Sequence, residues 1–157
     1  MINQMQKLKN NGSFIGKLTI RKYKNGKLVS THKETNKVIS SSGYGRNLVM
    51  RQLANDQTYG IAIDSAKIGD DDTPPTNGDT DLGNAIVSGI LVANQSVSND
   101  SATFQFFISA GTLPDGTYEE FGMFIGGRLF SRAVFSSPYS KSVGEDTRVD
   151  YQITLTG

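Results

Sequence analysis

Few residues of this chain are of types that do chemistry. It holds one histidine and no cysteine, which excludes thiolate metal sites, disulfides and cysteine nucleophiles. No G-x-S-x-G elbow accompanies His32, so acyl transfer by a Ser-His pair has no constellation. Between Thr31 and Lys33, His32 reads as an exposed strand residue. Glu119 and Glu120 are the residue types of glycoside hydrolysis, yet neighbours on a strand point to opposite faces and cannot flank one bond. Either would need Asp115 or Asp150 from elsewhere; a cross-strand pairing with Arg128 or Arg132 is the favoured role. Asp70, Asp71, Asp72, Asp79 and Asp81, with Asn77, supply oxygen ligands of the kind calcium takes, but EF-hand spacing is absent and a solvated acidic loop is the simpler reading. Gly43-Tyr44-Gly45 is too short to cradle a phosphate. Tyr118, Phe121, Phe124, Phe130, Phe135 and Tyr139 could line a glycan platform, but their strand spacing and the lack of tryptophan assign them to a core. No catalytic, cofactor-binding or metal-ligating residue is assigned, no cofactor is expected, and the chain reads as a non-enzyme.

The size, 157 residues with 36% hydrophobic residues and 17 glycines, suits one domain with a buried core. The expected division is a polar arm over residues 1–15 and a single β-domain over 16–157, with a possible sub-boundary near 56–60. Residues 1–13 lack the apolar stretch of a secretory signal, and no apolar run approaches the ~20 residues of a membrane span. A soluble, cytoplasmically made product without membrane contact is therefore expected. The net charge of +1 conceals an asymmetry: residues 1–51 carry eleven Lys or Arg against Glu34 alone, whereas 52–157 carry five basic and fourteen acidic residues. Such a split can mark a nucleic-acid patch. The basic residues alternate along apparent strands with no Arg-aromatic cluster, so neutralisation within the fold or between subunits is preferred.

Elements that would position these residues follow from periodicity. Alternation over 17–23 predicts a strand, Asn25-Gly26 a type I′ turn, and 28–32 its partner. A third short strand is expected at 37–39. Ser40, Ser41 and Ser42 offer N-cap hydroxyls to a helix reaching Ala54, with Tyr44, Leu48, Val49, Gln52 and Leu53 on one spacing. Strands are expected at 61–68, over 84–98 as a strand pair or one long bent strand with a bulge or bend at Gly89, at 101–109, at 117–125 and 128–135 joined by a tight Gly126-Gly127 turn, and at 147–156. Residues 69–81 and 136–146 read as loops, the second because of Pro138 and Gly144. Together these predict a mainly β fold: an antiparallel sandwich or partly closed barrel with one short helix after an N-terminal hairpin.

Several short stretches then recur in a familiar order. Ile68-Gly69 precedes a polar loop and Asp79-Thr80-Asp81-Leu82-Gly83-Asn84. Glu119-Glu120-Phe121-Gly122-Met123-Phe124 follows, then Leu129-Phe130-Ser131-Arg132, then Phe135, Pro138 and Lys141 before the last strand. The series resembles the "I-G … D-T-x-L-G", "E-E-[IF]-G-[LM]-F" and "L-F-[AS]-R" stretches of small virion proteins of tailed bacteriophages, of the tail, tail-collar, baseplate or fibre-attachment type. Phe121 and Met123 replace the commoner Ile and Leu. Residues 16–53 resemble the hairpin and short helix that often precede this module, with Asn36-Lys37-Val38-Ile39 in place of its "N-x-V" strand. The resemblance implies a structural virion protein, assembled in the host cytoplasm, that joins other virion proteins as a homo-oligomer such as a trimer or hexamer, without nucleic acid. A capsid decoration or head-fibre protein is one alternative. A glycan- or receptor-binding module, or a small carbohydrate-active domain using Glu119, Glu120 or Asp115, are others. Gly122 would allow close backbone approach, and Arg132 would pair with Glu119 or Glu120.

Overall fold

The computed structural model describes residues 13–60 and 62–156. Strands β1 (Ser13–Lys24) and β2 (Lys27–Val38) form the first hairpin. Asn25 and Gly26 take φ of 51° and 74°, the left-handed pair that a type I′ turn demands. β1 already begins at Ser13, so the last residues of the expected arm are strand; residues 1–12 lie outside the described residues. The separate strand expected at 37–39 is instead the end of β2.

Past Ile39, Ser40–Ser41 (β3) and Tyr44–Gly45 (β4) pair as a minimal ribbon, and helix α1 spans Arg46–Leu53. The serines do not cap it. Gly45 holds the N-cap position at φ 54°, a Cβ there would overlap the Ile39 carbonyl, and the Arg46 amide donates to that carbonyl at 2.8 Å. The helix is shorter than its sequence suggests and buries Leu48 alone; Leu53, at its end, is 76% exposed.

The remaining strands are β5 (Ser65–Gly69), β6 (Ala85–Ser98), β7 (Ser101–Ile108), β8 (Gly116–Ile125), β9 (Arg128–Lys141) and β10 (Glu145–Thr156). β5 starts later than the expected 61–68, although Asp64 beside it donates its amide to the Phe124 carbonyl at 3.1 Å and accepts the Gly126 amide on its carboxylate at 3.1 Å; Ile61 lies outside the described residues. β6 is one long strand with Gly89 at φ +69°. The loop expected at 136–146 is largely strand: Pro138 sits where the β8–β9 register shifts, and Tyr139 and Lys141 return to buried positions. A proline is tolerated there because the ladder is interrupted.

All pairings are antiparallel, and the ring β1-β10-β7-β6-β5-β8-β9-β2 closes on itself as an eight-stranded barrel. Mainly β architecture with one short helix after an N-terminal hairpin is thus the observed fold, and the hairpin belongs to the same barrel as everything after Gly60. Phe106, Phe121 and Tyr151 fill the interior, with ring centroids 5.5 and 5.9 Å apart in succession. Interiors of eight-stranded barrels are just wide enough to be filled by side chains.

The β2–β9 seam is the thinnest join, paired through Lys37↔Arg132 and Val38↔Ser131. Beside it the buried Glu34 carboxylate accepts the Ser136 amide and hydroxyl at 2.8 and 2.9 Å and shares a 2.6 Å hydrogen bond with His32 Nε2. His32 is consequently half-buried, edge-on to Phe135, rather than exposed. No helix among the described residues is long and apolar enough to cross a membrane.

Candidate functional site

β5, β8 and β9 are the strands whose outer face is covered. On β8, Phe121, Met123 and Ile125 point inward, while Glu120, Gly122 and Phe124 point outward and are buried as well. The cover is the segment 70–84 between β5 and β6. Its Leu82 packs with Ile39, Phe124 and Leu129 as a second apolar cluster outside the barrel. Gly122 makes the approach possible: a Cβ there would stand 2.8 Å from a Leu82 methyl, 3.0 Å from a Leu129 methyl and 3.2 Å from the Ser131 carbonyl.

Arg132 fastens the segment. Its guanidinium donates from Nε to Glu120 at 2.8 Å, from one terminal nitrogen to Asp79 at 3.1 Å and from the other to Asp71 at 3.2 Å. Glu120 is fully buried, and its two oxygens also accept the backbone amides of Asp71, Gly83 and Asn84 at 3.3, 2.9 and 2.7 Å. A buried carboxylate requires such saturation, since an unpaired charge in the interior costs several kcal/mol. Gly69 and Gly83 have no room for a side chain here: a Cβ on Gly69 would strike the Asn84 carbonyl, and one on Gly83 the Asp71 side chain.

The electrostatics follow from these contacts. The Thr73 amide and hydroxyl, helped by Arg132, hold the Asp71 carboxyl below the usual carboxylate range. Burial works against ionisation of Asp79, but the Thr76 hydroxyl and amide and the Arg132 guanidinium outweigh it, so its pKa is also lowered. Arg132 is opposed by burial in the same way, and Glu120 and Asp79 keep its pKa above the ordinary value. At the edge of the clamp Lys67 reaches both Asp81 oxygens at 2.9 Å and lies 4.6 Å above the Phe124 ring. An open depression of about 370 Å³ beside Arg132 is lined by Asp71, Thr73, Asp79 and Asp81.

The residues singled out in the sequence are thus sorted by the fold. Glu120 meets Arg132, as the cross-strand reading expects, and its occupied oxygens make it a fastening group. Arg128 does not join them: it stacks 3.8 Å over Tyr59 and donates to the Gly43 carbonyl at 3.3 Å. Asp115 pairs with the buried Lys141 at 2.8 Å, and Asp150 pairs with Arg21 and Arg148, so neither converges on Glu119 or Glu120. The acidic segment is not merely a solvated loop, since Asp71 and Asp79 bind Arg132. Among the described residues no group of three or more His, Asp or Glu side chains is disposed to hold a metal ion; at the clamp the central cation is the guanidinium itself. All six aromatics of the conceivable platform are buried. The burial of Lys141, already named among the residues that carry the resemblance, and the 2.7 Å hydrogen bond between Tyr139 and Thr147 escaped the sequence reading. Past Pro138, the spacing of two between Tyr139 and Lys141 was the signal that could have found them. Burial pushes the Tyr139 hydroxyl up to about 12, against the pull of Thr147.

Comparison of the chain with protein-family models, with curated proteins and with solved structures finds no match.

Proposed function

We propose that this chain is a non-enzymatic structural protein of a tailed-phage virion, an oligomer of the tail, collar or baseplate that joins other virion proteins. What supports the reading is the meeting point of the residues that carry the resemblance. Gly69, then Asp79, Leu82 and Gly83, then Glu120 and Gly122, and finally Arg132 come from four separate stretches of sequence and converge on one clamp. A motif set of this kind fastens a loop to a barrel, which is a structural office. Burial of all six aromatics weighs against a glycan platform.

Charge layout favours self-assembly. In the ring of eight strands β1 lies four places from β5. The exposed Lys17, Lys24, Lys27 and Lys33 of the first hairpin therefore lie across the barrel from the segment that exposes Asp70 and Asp72. Complementary sides on one subunit suit a head-to-tail contact that closes as a ring, and the basic hairpin would equally dock an acidic surface of another virion protein. The partners are proteins, rather than nucleic acid or membrane.

Immunogold labelling of purified particles with serum against the recombinant chain tests this reading. Gold at the tail, collar or baseplate is the expected result, whereas gold over the head would turn the reading toward a decoration or head-fibre protein. Absence of both gold and chain-derived peptides from the particles would overturn the virion assignment. Binding to virion partners should weaken as salt rises; binding indifferent to salt would remove the electrostatic part.

A further inference from the structure

The seam between β2 and β9 closes over only part of its length. Ile39 donates its amide to the Phe130 carbonyl at 3.2 Å, and Lys37 and Val38 pair with Arg132 and Ser131. Beyond that the strands part. Further along β9 the Ser136 amide finds the Glu34 side chain, at 2.8 Å, in place of a β2 carbonyl. Tyr139 then reaches Thr147 of β10 at 2.7 Å and lies under the Lys22 ammonium. A depression of about 700 Å³, lined by Lys17, Lys33, Glu34, Thr35 and Ser136 among others, opens where the strands separate. Residues 27–36 keep β1 on one side and, among the described residues, have no strand on the other.

That free side is a row of backbone groups. Along a strand the amides and carbonyls of successive residues point alternately to the two neighbours, so, counting back from Ile39 and Lys37, Thr35, Lys33 and Thr31 turn theirs away from β1. At the hairpin tip the strand flares clear of the barrel: Lys27–Thr31 are exposed at every position, Leu28 and Val29 at 55% and 52%. Around them Lys24, Lys27 and Lys33 are exposed and form no ion pair among the described residues. The one acid within Ser13–Val38 is Glu34, held by His32 and Ser136. Arg21, the one arginine, is taken by Asp150. An unpaired edge is a template for a further strand, and its charge selects which. A second copy's β2 laid antiparallel over Lys27–Lys33 would set each Lys27 against a Lys33, and like charges directly opposite destabilise a sheet. A nucleic acid fits no better, since a phosphate backbone has no donor for the outward carbonyls and no apolar surface for Leu28 and Val29.

We infer that the outer edge of β2 is a strand-addition site for an extended, acidic segment of a partner protein. The added strand pairs with the outward amides and carbonyls of Thr31, Lys33 and Thr35, sets carboxylates against Lys27 and Lys33, and lays apolar side chains against Leu28 and Val29. The same lysines that repel a second copy select the acidic partner, so attraction and exclusion come from one set of residues. This deepens the docking of the basic hairpin proposed above and rests on that reading, adding main-chain pairing to charge.

Amide hydrogen exchange of the full chain, followed by nuclear magnetic resonance, reads the edge directly. Thr31, Lys33 and Thr35 should exchange many times faster than His32 and Glu34, whose amides face β1; equal protection would mean a covered edge and overturn the site. The probe for the partner is a short, end-blocked synthetic peptide that alternates Glu with Val. It should slow exchange at Thr31, Lys33 and Thr35 several-fold, and the same peptide with Lys in place of Glu should not; equal effects of the two peptides would refute acidic selectivity. Thr31→Pro deletes an outward amide and no bond to β1. It should abolish the protection of Lys33 and Thr35 at unchanged far-ultraviolet circular dichroism, whereas persisting protection would reduce the contact to charge attraction and overturn strand addition. Lys27→Glu/Lys33→Glu should reverse the preference toward the lysine peptide; an unchanged preference would remove these lysines from the site. Protection by a short DNA duplex equal to that by the glutamate peptide would overturn the site in favour of nucleic acid. The measurements need no virions, so a failed peptide leaves the immunogold result standing, and absence of the chain from particles leaves the edge test readable.

Discussion

The two sides of the barrel solve different problems. On the side of β5, β8 and β9 the outward residues beneath the 70–84 segment meet a cover, so β8 is buried on both faces over Glu120–Ile125 and reads almost without alternation there. On the side of β2, β1 and β10 the outward residues Lys17, Lys33 and Gln152 face water, and alternation is clean along β10 and the middle of β1. Charges are handled accordingly. Arg21 meets Asp150 on the bare side, with 34% of the arginine side chain still exposed, whereas Arg132 on the clad side is 3% exposed and meets three carboxylates. Covering a strand twice demands a glycine where the cover lands and a partner for every charge beneath it. A strand covered once demands neither.

The largest test of this contrast exchanges the two arginines. Arg132→Met removes the cation from buried Glu120 and should cost about 3–5 kcal/mol, while Arg21→Met should cost no more than about 1 kcal/mol; urea titrations of both variants compare them directly. Equal costs would mean that the clamp holds nothing the bare side lacks. Next comes packing. Gly122→Ala must push Leu82 or Leu129 aside and should cost about 1–3 kcal/mol, against about 0.5 kcal/mol or less for the partly exposed Thr19→Ala, again read as the shift in urea midpoint. The smallest effect is acid sensitivity. Asp71 and Asp79 have folded pKa values below their unfolded ones, so their contribution is fully present above about pH 4 and is lost as pH falls through the folded values. The double variant Asp71→Asn/Asp79→Asn should be less stable at pH 7 and lose less stability than the parent on acidification, as followed by thermal melts from pH 7 to pH 3.

What could be read in the sequence was local. Asn25-Gly26 and Gly126-Gly127 specify their turns because left-handed φ leaves few other residues, and the structure has all four at positive φ. Glu120 and Arg132, 12 residues apart across a two-residue turn, were pairable on strand geometry alone. Asp79 and Asp71, 53 and 61 residues from Arg132, were not, since no local pattern reports which loop folds over which strand. Ser40, Ser41 and Ser42 looked like caps, but the Ile39 carbonyl had already claimed the Arg46 amide. Pro138 looked like a loop marker, since a proline is compatible both with a loop and with an interrupted ladder. The clamp was therefore half legible: its β8 and β9 members by hairpin logic, its cover only from the fold.

Closure of the ring has a consequence in time. β1 lies between β2 and β10, with Ser13 opposite Thr156, so one strand waits for a partner that lies 143 residues further along the chain. At about 5–20 residues per second, Glu145–Thr156 trails the first hairpin by roughly ten seconds, during which the long flank of β1 has no neighbour inside its own chain. Every nascent copy passes through that interval with an open strand edge, the feature most prone to pairing with the wrong molecule. The lysines that line the hairpin therefore serve the growing chain before they serve the finished barrel, keeping newborn copies apart until each can close on itself.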